Sequence, residues 1–478
     1  MHVLILINSL TSGGAERVTV NLSSYLVEKG HKTTIVTVRD KEKDFYALDR
    51  RVTRICLEPA HETWPSNSIM ESLRQYMKSL EQYMKSLGQY MKRFKVLRVI
   101  VRLLILLGLP LHRLSLSRVL KRFSLSRVLK RFSRSRGLKY FSPLRILNRS
   151  FLFRTLKAVR PVRTVIKQQR PDIVLGMMTS NAVRAIIASF GLPTKVIASE
   201  RNFPGRKKTH YRWAKLRKRL YRFADGHVVQ TYKIFCWLKK HTRASNIAII
   251  PNSVTYPIAS FPPVLDPEMF VGKESKVILA VGKLHEQKGF DLLISAFHRI
   301  SQRVPGWVLV ILGKDVKTAG RRQALRRQID ELNLNGRVKM PGCAGNISDW
   351  YRRSDIFVLS SRYEGFPNVL LEAMASGCSC ISYDCDTGPS EIIINEQNGL
   401  LILPEDIDSL AEAMERLIRD ERLRAHIAAN AVKVREDFSD HRIMDMWIRF
   451  FEEVLRSDCR IIRKIAGSRK CRVKYGST

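Results

Sequence analysis

Residues 1–38 read MHVLILINSLTSGGAERVTVNLSSYLVEKGHKTTIVTV. Val3–Ile7 is apolar at every position, the pattern of a strand buried on both faces in a parallel sheet. Thr11-Ser12-Gly13-Gly14 predicts a turn. Val18, Leu22, Tyr25 and Leu26 then recur at helical spacing, Gly30 stands at a helix stop, and Thr33–Val38 predicts a second strand. Strand, glycine turn, helix and strand make a βαβ unit, which requires a parallel sheet.

The same alternation resumes after residue 170, with strands expected at Ile173–Leu175, Val196–Ala198, His227–Val229 and Ile247–Ile250. Residues 251–276 are rich in Pro and Ser and lack periodicity, which predicts a linker. A second α/β series starts at Val277–Val281 and alternates strands and helices to residue 435. The domain plan is therefore 1–255, 277–435, and a closing helix with a basic tail over 436–478. The fold class is α/β, with two facing Rossmann-like domains and a cleft at the carboxyl ends of their strands.

The chain has 478 residues, with 84 Lys+Arg against 43 Asp+Glu and a net charge of +41. Hydrophobic residues make up 45% of the chain, which excludes a wholly disordered class. Residues 71–170 carry 26 basic residues against two acids, Glu71 and Glu81. This insertion in the first domain holds tandem copies. RQYMKSL, EQYMKSL and GQYMKRF recur every seven residues from Arg74, and SLSRVLKRF recurs every nine from Ser115. A seven-residue copy returns a helix to nearly the same face, whereas nine residues turn it by about half a revolution. The segment reads either as a solvated insertion or as basic amphipathic helices lying on an anionic membrane surface, and the second is the expectation taken forward. Nucleic acid is not an expected partner, because no nucleic-acid fold accompanies the charge. The N-terminus has no basic n-region and reads as a core strand. The longest apolar run, Leu103–Leu111, is far below the ~20 residues of a membrane span. Eight scattered cysteines without a CxxC pair point to reduced thiols in the cytoplasm.

The chemistry concentrates in Glu364-Gly365-Phe366-Pro367-Asn368-Val369-Leu370-Leu371-Glu372, which follows a strand ending at Ser360-Ser361. Pro367 suits the first position of a helix, whose free N–H groups form an anion site. Glu364 falls in the loop, where a carboxylate accepts from sugar hydroxyls. Glu372 falls on the helix, two turns in, where it can grip a ribose. Asp384-Cys385-Asp386 looks like a metal-binding pair, yet acids at this spacing in a turn commonly serve local hydrogen bonding.

EGFPNVLLE resembles the E-x7-E signature of retaining GT-B glycosyltransferases of family 4. Further pieces fall in the family's order: NSLTSGGAER at 8–17, SERN at 199–202, IPN at 250–252, VGKL with QKG over 281–289, GPSE at 388–391 and NGLL at 398–401. Together the resemblance covers about residues 1–40, 171–255 and 276–405. It implies that Glu364 binds donor-sugar hydroxyls and Glu372 the ribose. The N–H groups at Gly13 and Gly14 and around Asn368, Val369 and Leu370 would face a diphosphate, with Gly365 and Phe366 completing the donor loop. Lys283 and Lys288 would neutralise the departing diphosphate, and Lys283 stands where the family usually carries Arg. Glu200, Arg201 and Asn202 would lie on the acceptor side, with Glu200 a candidate catalytic group beside Glu364, Lys283 and Lys288. No cofactor and no metal are implied, since a UDP-sugar is a substrate. The implied activity is transfer of a hexose or N-acetylhexosamine from a UDP-sugar to a growing, polyprenyl-diphosphate-linked glycan, at the cytoplasmic face of the membrane. The competing readings are a nucleotide-sugar epimerase on the same fold and a non-catalytic basic membrane-binding protein.

Overall fold

The computed structural model describes residues 1–11, 13–39, 44–57, 159–206, 210–315 and 320–457. The tandem copies and the basic tail beyond residue 457 lie outside the described residues. Apolar runs become two all-parallel sheets. The first contains β1 (His2–Ile7), β2 (Lys32–Thr37), β3 (Thr53–Cys56), β4 (Ile173–Met177), β5 (Lys195–Ser199), β6 (Gly226–Val229) and β7 (Ile247–Ile249), in the order β3-β2-β1-β4-β5-β6-β7. The second contains β8 (Lys276–Val281), β9 (Trp307–Leu312), β10 (Val338–Gly342), β11 (Ile356–Leu359), β12 (Ser379–Tyr383) and β13 (Leu400–Ile402), in the order β10-β9-β8-β11-β12-β13.

In each sheet the order of strands reverses about the first strand. β1 lies between β2 and β4, and β8 lies between β9 and β11. The chain leaves the two neighbours of the first strand toward opposite edges of the sheet, so the loops diverge there and leave a crevice at the carboxyl ends. The register runs Ile5 beside Ile35 and Leu175, and Leu279 beside Val310 and Phe357. These residues are fully buried, as expected for strands covered on both faces.

The final helix, Asp440–Arg456, returns to the first sheet. Its Trp447, Phe451 and Val454 are fully buried in the cluster that contains Val3, Ile5 and Ile173. Ser439 caps this helix by accepting from the Arg442 N–H at 3.3 Å. The Asp440 carboxylate takes hydroxyl bonds from Ser253 and Thr255, and Tyr25 donates to Asp445 at 2.7 Å. The chain end thereby ties the linker and the first helix together.

The structure departs from the expected elements in several places. β3 is an additional edge strand, Thr-Arg-Ile-Cys, whose mixed polarity reflects partial exposure. The stretches Tyr211–Leu220 and Tyr232–His241 are helices, although their basic content hides the apolar stripe. The last helical stretch before residue 435 starts at Glu421, where Asp420 accepts from Leu423 N at 2.8 Å. It is broken into Glu421–Ala431 and Val434–Asp437. Residues 162–169, counted in the basic insertion, are helical and bury Val162, Val165 and Ile166.

β6 carries a titration device. His227 is fully buried, and its Nδ1 lies 2.8 Å from the Ser245 carbonyl, to which it donates. Burial pushes its pKa down from 6.5 to about 4. Between those values the unfolded chain binds a proton that the folded chain refuses. Stability is therefore fully present above pH 6.5 and falls as pH drops toward 4, by on the order of 3 kcal/mol. Thermal melts across this window should show the decline, and His227→Gln should flatten it. An equal slope in that variant would remove His227 as the cause.

Candidate functional site

The loops leaving β1, β8, β9 and β11 meet in one cleft of about 810 Å³. Close backbone approach shapes it. A Cβ on Gly313 would lie 1.7 Å from the Gly282 carbonyl oxygen, so the ends of β8 and β9 cross only with glycine present. Gly289 adopts φ 61°, and a Cβ there would lie 2.0 Å from the Ser360 oxygen. That packing presses the QKG turn onto the end of β11. Across the cleft, Gly13 and Gly14 open the helix Gly14–Glu28, and a Cβ on Gly14 would come within 3.3 Å of Asn368 Nδ2.

Within the cleft, Glu364 and Lys288 form a pair at 2.6 Å, with side chains 9% and 18% exposed. Ser361 Oγ donates to the same carboxylate oxygen at 2.7 Å, and Thr387 Oγ1 donates to the Glu364 carbonyl at 2.5 Å. Both sides of the loop are thus pinned, which holds the carboxylate and the ammonium together at the mouth of β11. Lys283 also lines the cleft.

Glu372 faces the same space. The helix begins at Asn368, with Pro367 as its cap at φ −82° and ψ 96°, so the expected start at Pro367 is corrected by one residue. Glu372, four residues past Asn368, lies about one turn into the helix. Arg17 ion-pairs with its Oε1, and the buried Tyr351 hydroxyl donates to its Oε2 at 3.1 Å. The Glu372 charge raises the Arg17 pKa. Asn368, Val369 and Phe366 line the cleft. Leu370 does not offer a free N–H, because it donates to the Pro367 carbonyl at 3.1 Å, and its side chain is fully buried. Gly365 lets the loop touch the first sheet, since a Cβ would sit 2.8 Å from the Arg201 carbonyl oxygen.

The three residues expected on the acceptor side separate. Asn202 lines the cleft. Glu200 does not. It is 3% exposed, receives Thr179 Oγ1 at 2.9 Å and Tyr221 OH at 2.5 Å, and pairs with Arg217 at 3.5 Å. Its expected catalytic place is corrected to a buried polar knot joining β5 to the helix Tyr211–Leu220. Arg201 is also buried, and desolvation lowers its pKa to about 9. It donates to Asn252, which also accepts from Gln230 at 2.9 Å. Asn252 in turn donates to Asn368 and to the Phe366 carbonyl, the latter at 3.4 Å. The SERN and IPN segments therefore support the EGFPN loop through a chain of polar contacts.

Asp386 is engaged by Arg206 and by Lys233, the latter at 3.4 Å, across the two sheets' loops. Its place is that of an ion-pair anchor. Among the described residues no group of three His, Cys, Asp or Glu is placed to hold a metal. His285 caps the turn Glu286–Lys288 by accepting from the Gln287 N–H at 3.1 Å. Arg17, Tyr351, Ser361 and Thr387 were not singled out by the sequence reading. Arg17 had a signal in GGAER, whereas Tyr351 had none beyond its chemistry.

Two parallel sheets whose switch points share a cleft, with an E-x7-E loop opposite a glycine turn, define the GT-B class of glycosyltransferases. Residues 266–434 match the family model described as Glycosyl transferases group 1. An uncharacterized glycosyltransferase of Methanocaldococcus jannaschii is 29% identical over 342 residues, covering 62% of this chain and 82% of that protein. The amylovoran biosynthesis glycosyltransferase AmsD of Erwinia amylovora is 27% identical, covering 62% and 81%. An exopolysaccharide phosphotransferase of Streptomyces coelicolor is 33% identical over 53% of this chain, and the match spans only 26% of that protein. Among solved structures, Anabaena HepE in complex with UDP superposes with a TM-score of 0.64 at 17% identity, covering 95% of this chain and all of that one. Over residues 266–434 the chain is similar to the group 1 glycosyltransferases, and its two sheets have the GT-B fold.

Proposed function

We propose that the chain is a retaining glycosyltransferase that moves a hexose or N-acetylhexosamine from a UDP-sugar to a growing glycan carried on a polyprenyl diphosphate. The observation that carries this reading is the Glu364–Lys288 pair at 2.6 Å in the same cleft as Glu372. Residues 1–255 would take the acceptor and residues 277–435 the donor. Glu364 would accept from the sugar hydroxyls and Glu372 from the ribose. Lys288 and Lys283 would balance the charge that grows on the diphosphate as the glycosidic bond breaks. A fixed cation does this without reorganising at the moment of reaction. The relatives' names support a role in polysaccharide synthesis, and the HepE complex supports UDP as the nucleotide.

A membrane-borne acceptor is supported by the outer side of the first sheet. The helix Tyr211–Leu220 carries Arg212, Lys215, Lys218 and Arg219, the helix Tyr232–His241 carries Lys233, Lys239 and Lys240, and Tyr211 and Tyr232 are exposed. Among the described residues no helix is long and apolar enough to cross a membrane. Attachment would therefore be peripheral and salt-sensitive, since each Lys or Arg at an anionic surface contributes ~1 kcal/mol and the attraction is screened within ~8–10 Å.

The test is a transfer assay with UDP-hexoses and UDP-N-acetylhexosamines against extracted polyprenyl-linked glycans, with calorimetry of UDP in parallel. In an Arg17→Met background, where no guanidinium is released to the phosphates, Glu372→Ala should weaken UDP binding by ~1–3 kcal/mol, the scale of a charge-assisted hydrogen bond. Unchanged UDP affinity in that variant would sink the ribose assignment.

A further inference from the structure

Glu372, the carboxylate assigned to the ribose, is already occupied. Arg17 sits on Oε1 and Tyr351 on Oε2. The ion pair crosses the cleft from the glycine-turn helix of the first half to the E-x7-E helix of the second. The Arg17 and Glu372 side chains are 24% and 8% exposed. A ribose reaching for Glu372 must therefore compete with a guanidinium that has little water to turn to. Releasing a half-buried guanidinium without a new partner is costly, because its charge would be left uncompensated.

The same cleft suggests where that charge goes. Arg17 is the fourth residue of the helix opened by Gly13 and Gly14, and that turn faces Asn368 across the cleft. Lys283 lines the space as well, and its charge reaches Glu16 in the first turn of that helix. A diphosphate placed between the glycine turn and Lys283 would lie on the Arg17 side of the pair. Arg guanidinium matches phosphate geometry in a bidentate fork, which none of the lysines lining the cleft provides.

We infer that Arg17 is an exchange partner for the donor: the ribose takes Glu372 from Arg17, and Arg17 turns to the diphosphate. This rests on the proposed reading of Glu372 and makes Arg17 a specificity-determining residue for it. A nucleoside alone gains the carboxylate but strands the guanidinium. A nucleoside diphosphate compensates both groups at once. The pair thus discriminates against uridine without touching the base. It also couples the two halves of the cleft to the presence of the phosphates, because the contact that joins them is the one replaced.

Calorimetric titration of the full chain with UDP and with uridine tests this. Wild-type protein should prefer UDP strongly. In Arg17→Met, uridine should bind tighter, because Glu372 has lost its competitor, while UDP should bind more weakly. The ratio of the two affinities should fall by at least about tenfold. Arg17→Lys, which keeps a point charge without the fork, should fall between. A melt of each variant separates a binding effect from loss of fold, and Arg17→Lys keeps the test open if Arg17→Met does not fold. An unchanged ratio, or uridine weakened along with UDP, would overturn the exchange while leaving the donor reading intact. A wild-type protein that binds neither ligand would overturn the donor reading, and the exchange with it.

Discussion

Glu364→Gln is expected to lower the rate of sugar transfer by about 10²–10³-fold while UDP still binds. The substitution keeps the shape of the side chain, so Ser361 can still donate to the amide oxygen in place of its 2.7 Å contact with the carboxylate. What disappears is the negative charge that receives Lys288 at 2.6 Å and would receive the donor-sugar hydroxyls. UDP lacks the sugar, so its contacts are untouched. Its phosphates gain a Lys288 no longer held by a carboxylate, which predicts an affinity equal to wild type or tighter. Single-turnover transfer with a UDP-sugar and calorimetry with UDP read the two effects separately. A parallel loss of both would move Glu364 into nucleotide binding, and an undiminished rate would remove it from the site.

The split between these two quantities also explains which parts of the site could be read from the chain. Glu364 and Glu372 are legible because they flank a turn with a backbone reason to open a helix, whereas Lys288 enters through the resemblance of its QKG piece. Pro367 and Asn368 open a helix, and Gly289 allows the left-handed turn beside Ser360. βαβ patterning at 1–38 was legible because β1 is buried on both faces and leaves no polar position to confuse the period. The partners of the carboxylates were not. Arg17 lies 355 positions before Glu372, and Tyr351 reaches it from a different helix, so only tertiary packing brings them together. Glu200 shows the opposite failure. A charged residue in a polar motif reads as functional, yet Arg217, Tyr221 and Thr179 absorb it into a buried network. The helices Tyr211–Leu220 and Tyr232–His241 were obscured because long basic side chains cover apolar surface with their stems and mask the stripe. Cation–aromatic contacts such as Arg217 over Trp237 at 4.6 Å show the stems packed inward.

Lys288→Met should produce the largest combined effect, because one atom of Lys288 pins the loop and, in the proposed reading, also serves the chemistry. Its Nζ is the cation on Glu364, whose side chain is 9% exposed. Removing it leaves a carboxylate nearly without water or counter-charge, a loss of about 3 kcal/mol in stability. The reaction loses the charge that would meet the departing diphosphate, which is expected to cost a further ~10²–10³ in rate. The double variant Lys288→Met/Glu364→Gln separates the two roles. With no charge left to strand, it should melt close to wild type, while its transfer rate should be no better than that of the worse single variant. Recovery of transfer along with stability would mean that the pair acts only to hold the loop, and the neutralising role would pass to Lys283. A double variant as unstable as Lys288→Met would instead show that the lysine's stem, packed against Gly282 with contacts near 3.0 Å to the position of an added Cβ, matters more to this loop than its charge.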